Sequence, residues 1–382
     1  MGGIMASVTA PKKLMFSKSL YPLLVLTLLA IGLSIFRLAV GLGPTTNMND
    51  HYPWGIWITI DLFIIPIAGA AFTISLISFF FGYDDYRSVL RPAVVAGFLG
   101  YLVVGILLFL DIGRWNQFYN IFNPGILNLH SFLEEISICV TLYIGILTLE
   151  VLPILLENTK FRNSIKWIDA GIYIISGAGI LLSTLHQSSL GSLFLLMSHK
   201  LHPLWYTPAL PLLFFLQAGY TGMGATAIAI TLISKSKNLP LDRKLMRRIG
   251  QAMGINLLLY VCIRIGDWMG AGEIRMLLKP DGFGWIAWLE LTLGILIPLA
   301  ILFTKFIGHS QGPFWAAVFA LMGTFLNRLV ITWVGLSEPS SITYMPSWIE
   351  IFITLGFIAG GYIVFDLFVK FYKLMPEKHR TN

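Results

Sequence analysis

Apolar positions in this chain do not alternate with polar ones; they run together. Ten stretches, at about 21–43, 54–82, 90–113, 126–157, 167–190, 204–234, 249–270, 284–307, 314–336 and 348–375, are apolar on every side of a helix. At 1.5 Å of rise per residue, ~20 such residues cover the hydrocarbon core of a bilayer. The pattern predicts an all-α integral membrane protein with about ten transmembrane helices. Several stretches exceed the minimum, so tilt or extension past the headgroups is expected. The first is too long for a removable signal peptide and lacks a small-residue cleavage site, so it reads as a retained helix. No hydrophilic stretch is long enough to form an extramembrane domain.

Composition sharpens this by exclusion. Residues are 56% apolar and only 12% charged, against roughly 25% charged in soluble domains. That rules out a soluble enzyme, and a disordered or nucleic-acid-binding chain with it; the surroundings are membrane lipids. The net charge of +7 then reports topology rather than nucleic acid. By the edges above, about 19 of the 26 Lys and Arg fall in the N-terminal segment, every second loop and the tail. The six between spans 6 and 7 (Lys235, Lys237, Arg243, Lys244, Arg247 and Arg248) are the densest group. The alternate loops hold only Arg114, Lys200, Arg275 and Lys279. Both termini are predicted cytoplasmic.

Arg37, Arg264 and Arg328 fall inside spans, where a charge costs ~3 kcal/mol or more and needs a partner or a wet cavity. With orientation assigned, Asp61 lies ~10 Å in from the outer face on span 2. Asp111 ends span 3. His130 lies one turn into span 4, with Glu134 and Glu135 about two turns in, and span 5 exits near His186, Gln187, Ser188 and Ser189. Four helices thus bring acids and an imidazole to the outer third. Glu134 and Glu135 stand about 100° apart and cannot share a face, so one of the two is the functional acid. The second half carries Arg264 and Asp267 at i, i+3, then Glu290 and Arg328, which can neutralise one another. A polar residue in a long helix often does no more than bond a neighbouring helix. A level set of them is a functional-site hypothesis.

There is a faint internal echo. Span 3 ends Leu110-Asp111-Ile112-Gly113-Arg114-Trp115 and span 7 ends Arg264-Ile265-Gly266-Asp267-Trp268, and in each case the next span carries Glu. Spans 2–5 and 6–9 are accordingly expected to form two four-helix bundles, with spans 1 and 10 flanking. The division is 1–20 (cytoplasmic segment), 21–53 (flanking helix and outer loop), 54–197 and 198–340 (the bundles), and 341–382 (flanking helix and tail).

The chemistry this set can support is narrow. Two cysteines, Cys139 and Cys262, cannot supply the four ligands of an iron–sulfur cluster, and no metal site is expected. A bis-histidine haem needs two facing imidazoles. Of the seven histidines, only His130 and His186 sit at useful depth, so no haem is expected. A quinone site fits better. It needs an apolar slot, a donor or imidazole for each carbonyl, and carboxylates to exchange two protons with water. An unperturbed imidazole, with pKa ~6.5, cycles near neutrality. The alternative is a secondary transporter or proton-coupled channel. Charged intramembrane residues and paired helical units would serve it equally, although its site is expected at the midplane.

The run His51-Tyr52-Pro53-Trp54-Gly55-Ile56-Trp57-Ile58 with Asp61 resembles the first core helix of the NrfD/PsrC family of quinone-interacting membrane subunits. Further matches follow in order: Leu90-Arg91-Pro92-Ala93 with Gly100-Tyr101, Asp111-Ile112-Gly113-Arg114, Glu135 through Cys139, Leu149-Glu150, His186-Gln187-Ser188-Ser189-Leu190-Gly191-Ser192, His202-Pro203-Leu204-Trp205 and Pro346-Ser347-Trp348-Ile349-Glu350. The similarity covers about 20–375 and is greatest to the ten-helix, HybB-like branch.

The resemblance implies a haem-free and metal-free subunit in the cytoplasmic membrane of a prokaryote. Such subunits exchange electrons between menaquinone or ubiquinone, an exchangeable substrate, and a ferredoxin-like iron–sulfur subunit on the outer face. Hydrogenase, molybdopterin oxidoreductase or multihaem cytochrome subunits make up the rest of the complex. The outer loops at about 43–53, 114–125, 191–203, 271–283 and 337–347 would form the docking surface. The resemblance implies a quinone and proton-transfer site of Asp61, Tyr101, Asp111, Arg114, His130, Glu135, His186 and Gln187. It selects Glu135 over Glu134 and places Glu150 on an inner proton route. Asp267 stands where related chains tend to carry Glu, which leaves the second bundle's role open.

Overall fold

The structure, a computed structural model, describes residues 18–50, 52–128, 130–279, 281–309, 311–336 and 344–375. His51, Lys12, Lys13, Lys378, Arg380 and most of the 337–347 loop lie outside them. The described residues are helical with no β-strand beyond a single bridge between Leu201 and Leu336. Among them, nine helices are long and apolar enough to cross a membrane: α1 (Tyr21–Val40), α2 (Ile56–Phe80), α3 (Asp84–Asp111), α4 (Phe132–Leu155), α6 (Leu210–Lys237), α7 (Arg243–Gly270), α8 (Gly282–Leu302), α9 (Gly312–Val334) and α10 (Trp348–Phe371). The tenth span is a bent pair, Lys160–Ala170 followed at 67° by α5 (Ile172–Leu195).

All ten expected spans are therefore present, with shifted edges. Helix α7 begins at Arg243 rather than near 249, because Asp242 caps it through Lys244 N and Leu245 N. Its cationic first turns lie outside the apolar run yet stay helical. Helix α6 begins at Leu210 rather than 204, because residues His202–Thr207 form a hydrogen-bonded loop. Helix α5 continues to Leu195, five residues past the expected exit.

Helices α2, α3, α4 and α5 pack in a ring, each against the next and α5 back on α2; α6, α7, α8 and α9 do the same. The rings meet where α6 packs on α2 and α5, and where α9 packs on α2. Helices α1 and α10 pair with each other and lie against α3. At the seam between the rings, a Cβ on Gly222 would come within 2.8 Å of Ala70 N. Only glycine lets the α6 and α2 backbones approach this closely. Thr59 and Thr332 Oγ1 share a hydrogen bond of 2.7 Å across the same seam. Below, the end carrying the start of α1 and the ends of α6 and α10 is the basic face.

Candidate functional site

The first ring holds a cluster of buried polar groups on three of its helices. Helix α2 contributes Asp61, 2% exposed, five residues after the helix begins at Ile56. Pro66 and Gly69 interrupt this helix just below. At that interruption Gln187 Nε2 donates to Ile65 O at 3.2 Å. Ile65 is i+4 from Asp61, so the two share a face, and that face looks at α5. Helix α5 contributes Ser176, Ser183, His186 and Ser189, all buried. Their spacing of 7, 3 and 3 places them on one stripe. Helix α3 contributes Tyr101, whose ring lies 5.9 Å from that of His186 and 4.6 Å from that of Tyr143.

Helix α4 closes the ring with two acids held from α5. Ser189 Oγ donates to Glu135 Oε1 at 2.6 Å, and Ser176 Oγ donates to Glu150 Oε1 at 2.7 Å. The α4–α5 seam thus carries one hydrogen-bonded carboxylate near each end. Between them, both nitrogens of His186, both carboxylate oxygens of Asp61, the Tyr101 hydroxyl and Gln187 Oε1 are buried without a hydrogen-bond partner. Each such group costs ~1–3 kcal/mol. Their concentration in one bundle makes it the candidate functional site.

Depth differs from expectation in two places. The apolar run puts His186 at the exit of its span; with α5 running to Leu195 it lies nine residues, ~14 Å, inside the helix end. The set is therefore graded, with Glu135 shallow and His186 and Tyr101 deep. His130 does not lie one turn into span 4 as expected. Ser131 is extended and α4 begins at Phe132, so His130 is an exposed loop residue. Arg114 is likewise exposed, between α3 and a short 3₁₀ helix. Neither joins the buried cluster. Glu134 points elsewhere than Glu135, as helical geometry requires, and its Oε1 is buried without a partner.

Asp111 closes α3, and its surroundings are only partly legible in the sequence. Arg37 on α1 is fully buried, donates through Nη2 to Ile112 O at 2.8 Å and exerts its charge on Asp111. The flanking helix thus supplies the cation beside the site's outermost carboxylate. Glu350 on α10 also acts on Asp111. Glu350 is fully buried and forms a capping box with Ser347, visible in the sequence as Ser-x-x-Glu. Its Oε1 accepts from Tyr344 OH at 2.6 Å, and its Oε2 from Ser347 N at 2.8 Å and Asn47 N at 3.1 Å. Burial, then Glu350, pushes the Tyr344 phenol well above its ordinary pKa, so it stays a donor.

Gly55, just before α2, lies against this knot. A Cβ there would come within 2.7 Å of both Glu350 Oε1 and Tyr344 OH. Gly55→Ala is therefore expected to lower stability by about 1–3 kcal/mol, the usual range for overpacking. The measurement is thermal unfolding of the purified protein; an unchanged midpoint would mean that the knot does not constrain the entry to α2.

The second ring holds the other expected cluster. Glu290 Oε2 accepts from Trp205 Nε1 at 2.7 Å, and its Oε1 from Asn327 Nδ2 at 2.9 Å. Arg264 donates to Leu204 O, which also accepts from Trp268 Nε1 at 3.0 Å. Arg328 stacks on Phe214 with its guanidinium carbon 3.5 Å from the ring centroid. Asp267 accepts from Thr207 Oγ1 at 2.6 Å. The expected mutual neutralisation is thus modified. Glu290 feels both arginines, but its hydrogen bonds come from neutral donors. The His202-Pro203-Leu204-Trp205 run acts as a stitch, with His202 stacked at 4.3 Å on Phe283. Sequence reasoning misses Trp205 and Asn327, because donors over 30 residues away along the chain leave no local signal.

Among the described residues, no group of three or more His, Cys, Asp or Glu is placed to hold a metal ion. The model of the family described as "Polysulphide reductase, NrfD" matches residues 44–338. A protein of Escherichia coli (strain K12), named "Probable Ni/Fe-hydrogenase 2 b-type cytochrome subunit", is 30% identical over 94% of this chain and 92% of its own length. The "Menaquinone reductase, integral membrane subunit" of Nitratidesulfovibrio vulgaris is 28% identical, over 90% and 88% respectively. A putative membrane subunit of a dimethyl sulfoxide reductase from Halobacterium salinarum is 22% identical, over 90% and 88%.

Proposed function

The chain belongs to the NrfD family, and from that premise we propose that it is the haem-free membrane anchor of a respiratory oxidoreductase complex, passing electrons between a quinone pool and an iron–sulfur partner. The relatives named for a hydrogenase, a menaquinone reductase and a dimethyl sulfoxide reductase support the reading. So does one observation within the chain: the unpartnered His186, Asp61, Tyr101 and Gln187 gathered in the first ring. These residue types match a quinone, which needs hydrogen-bond partners at two carbonyls and groups that exchange two protons.

In this reading His186 holds one carbonyl, with Tyr101 and Gln187 completing the polar lining. Asp61 and Glu135 take up and release protons, and Asp111, beside Arg37, lies on the way to the outer surface. Ser189 fixes Glu135 toward α5. Glu150, on the inner half of the same seam, is the acid that exchanges protons with the opposite side. The basic face is cytoplasmic, so the site opens toward the outer face, where a ferredoxin-like iron–sulfur subunit docks. A hydrogenase, molybdopterin or multihaem cytochrome subunit lies beyond it.

Ligand geometry supports the haem-free assignment. A bis-histidine haem needs two helical imidazoles facing each other. His186 is buried in α5 and His130 is exposed ahead of α4. The visible spectrum of the purified chain is expected to lack a Soret band, and a Soret band that shifts on reduction would overturn this part of the reading. The function itself is tested by transport and turnover together. Vesicles carrying the chain alone should move no solute, and quinone reduction should require the iron–sulfur partner. Solute uptake without that partner would favour the transporter instead.

A further inference from the structure

Two neighbouring arginines in the first turns of α7, on the basic face, are used differently. Arg248 is ion-paired with Asp85. Arg247 is exposed and enters no ion pair or side-chain hydrogen bond among the described residues. It lines a groove of about 580 Å³ between α7 and the end of α8. Along α7 the lining runs from Arg247 to Ile255, ~12 Å of helix. That is a little under the depth of one leaflet, half of a ~30 Å hydrocarbon core.

The groove forms because the two helices end at different levels. Helix α7 extends to Arg243, beyond its apolar run, whereas α8 ends at Leu302 and the chain turns through Lys305–Gly308 toward α9. Gly250 and Gly254 set the floor. A Cβ on either would come within 3.1 Å of the Leu302 or the Phe303 side chain, so the end of α8 seats directly on the α7 backbone. Ile255 and Phe303, 58% and 59% exposed, face outward from the ring. Among the described residues that line the groove, Arg247 is the one charged side chain. Gln251 follows it at i+4, on the same face and one turn deeper. Thr304 is engaged elsewhere, its Oγ1 donating to Ala300 O at 2.6 Å. A cation at headgroup level, an amide one turn below and an apolar trough beneath them repeat the order of phosphate, glycerol ester and acyl chain in a phospholipid.

We propose that this groove binds an anionic phospholipid of the leaflet on the basic face, its phosphate at Arg247, an ester carbonyl at Gln251 and one acyl chain between Ile255 and Phe303. A guanidinium matches a phosphate bidentately, and a basic residue at this level attracts anionic headgroups over neutral ones. The site belongs to the second ring alone. It involves none of the residues assigned to the quinone, so it stands or falls separately from that reading.

The test is lipid binding to the full-length, delipidated protein in a neutral detergent, read by native mass spectrometry. Phosphatidylglycerol and phosphatidylcholine are titrated separately, and the first bound lipid is followed. Wild type should prefer phosphatidylglycerol. Arg247→Gln, a change at an exposed position, should weaken its binding roughly fivefold, the effect of about 1 kcal/mol for one basic residue at a membrane surface. Arg247→Lys should keep most of the preference. Ile255→Trp, which obstructs the trough and keeps the arginine, should weaken both lipids. Lys166→Gln, on the same face but in the first ring, should change neither. Equal affinity of wild type for the two lipids, or an unchanged preference in Arg247→Gln, would overturn the proposal. An equal loss in Lys166→Gln would do the same, by making the preference a property of the whole basic face. Displacement of the lipid by inorganic phosphate would also contradict it, because the acyl chain would then contribute nothing.

Discussion

His186→Ala is expected to lower quinone-linked turnover of the assembled complex by at least 10²-fold while leaving its assembly intact. The side chain is fully buried with both ring nitrogens unpartnered, so its removal breaks no internal hydrogen bond. It leaves a small cavity and deletes the imidazole proposed to hold a quinone carbonyl. Positioned acid–base groups contribute typically about 10²–10⁴-fold, and losing one should fall in that range. Glu135→Gln is the companion change. A glutamine Oε1 still accepts from Ser189 Oγ, which now donates at 2.6 Å, so the α4–α5 link survives and only proton exchange is lost. Turnover should drop with no change in melting temperature. Wild-type rates in both variants would remove these residues from the mechanism.

In the second ring the largest effect is expected on stability. Glu290→Leu removes the acceptor of Trp205 Nε1 and Asn327 Nδ2 and the negative charge facing Arg264 and Arg328. Uncompensated buried charge costs about 3–5 kcal/mol. Trp205→Phe, which removes one donor and keeps the charge, should cost nearer 1 kcal/mol. Denaturant unfolding in detergent measures both. The order Glu290→Leu well below Trp205→Phe below wild type is the expected result, with the quinone-analogue affinity of Trp205→Phe unchanged. Similar stability in all three proteins would mean that the arginines are neutralised by other groups.

The transmembrane architecture is legible because a bilayer allows no exposed backbone within its core, and unbroken apolar runs betray each crossing. The edges are less so, and for two opposite reasons. Arg243, Lys244, Arg247 and Arg248 look like loop, yet they are helical because a capped helix continues into the headgroups. The His186-to-Ser189 run looks like a helix exit, yet it faces the interior of a bundle, where polar side chains need not be near water. Hydropathy alone likewise puts His130 inside the membrane, before α4 has begun.

For the site, residue type is readable and pairing is not. Asp61, Tyr101, Glu135, His186 and Gln187 all lie on helices of the first ring, with Tyr101 beside His186 and Glu135 bonded to Ser189, while His130 and Arg114 stay at the surface. Arg37 is visible as a costly charge, but the Ile112 carbonyl it bonds lies more than 70 residues away. Glu290 likewise finds its donors outside its own helix. Only where the partner is local, as in the capping box of Ser347 and Glu350, does the sequence contain the contact.

The central claim is that the buried polar groups of the first ring bind a quinone. It is tested most directly by titrating a fluorescent hydroxyquinoline N-oxide, a quinone analogue, into full-length wild type and His186→Ala in proteoliposomes. Saturable quenching is expected in wild type, competed by menaquinone, with affinity at least tenfold weaker in the variant. Equal affinity in the two proteins would place the quinone elsewhere and contradict the claim.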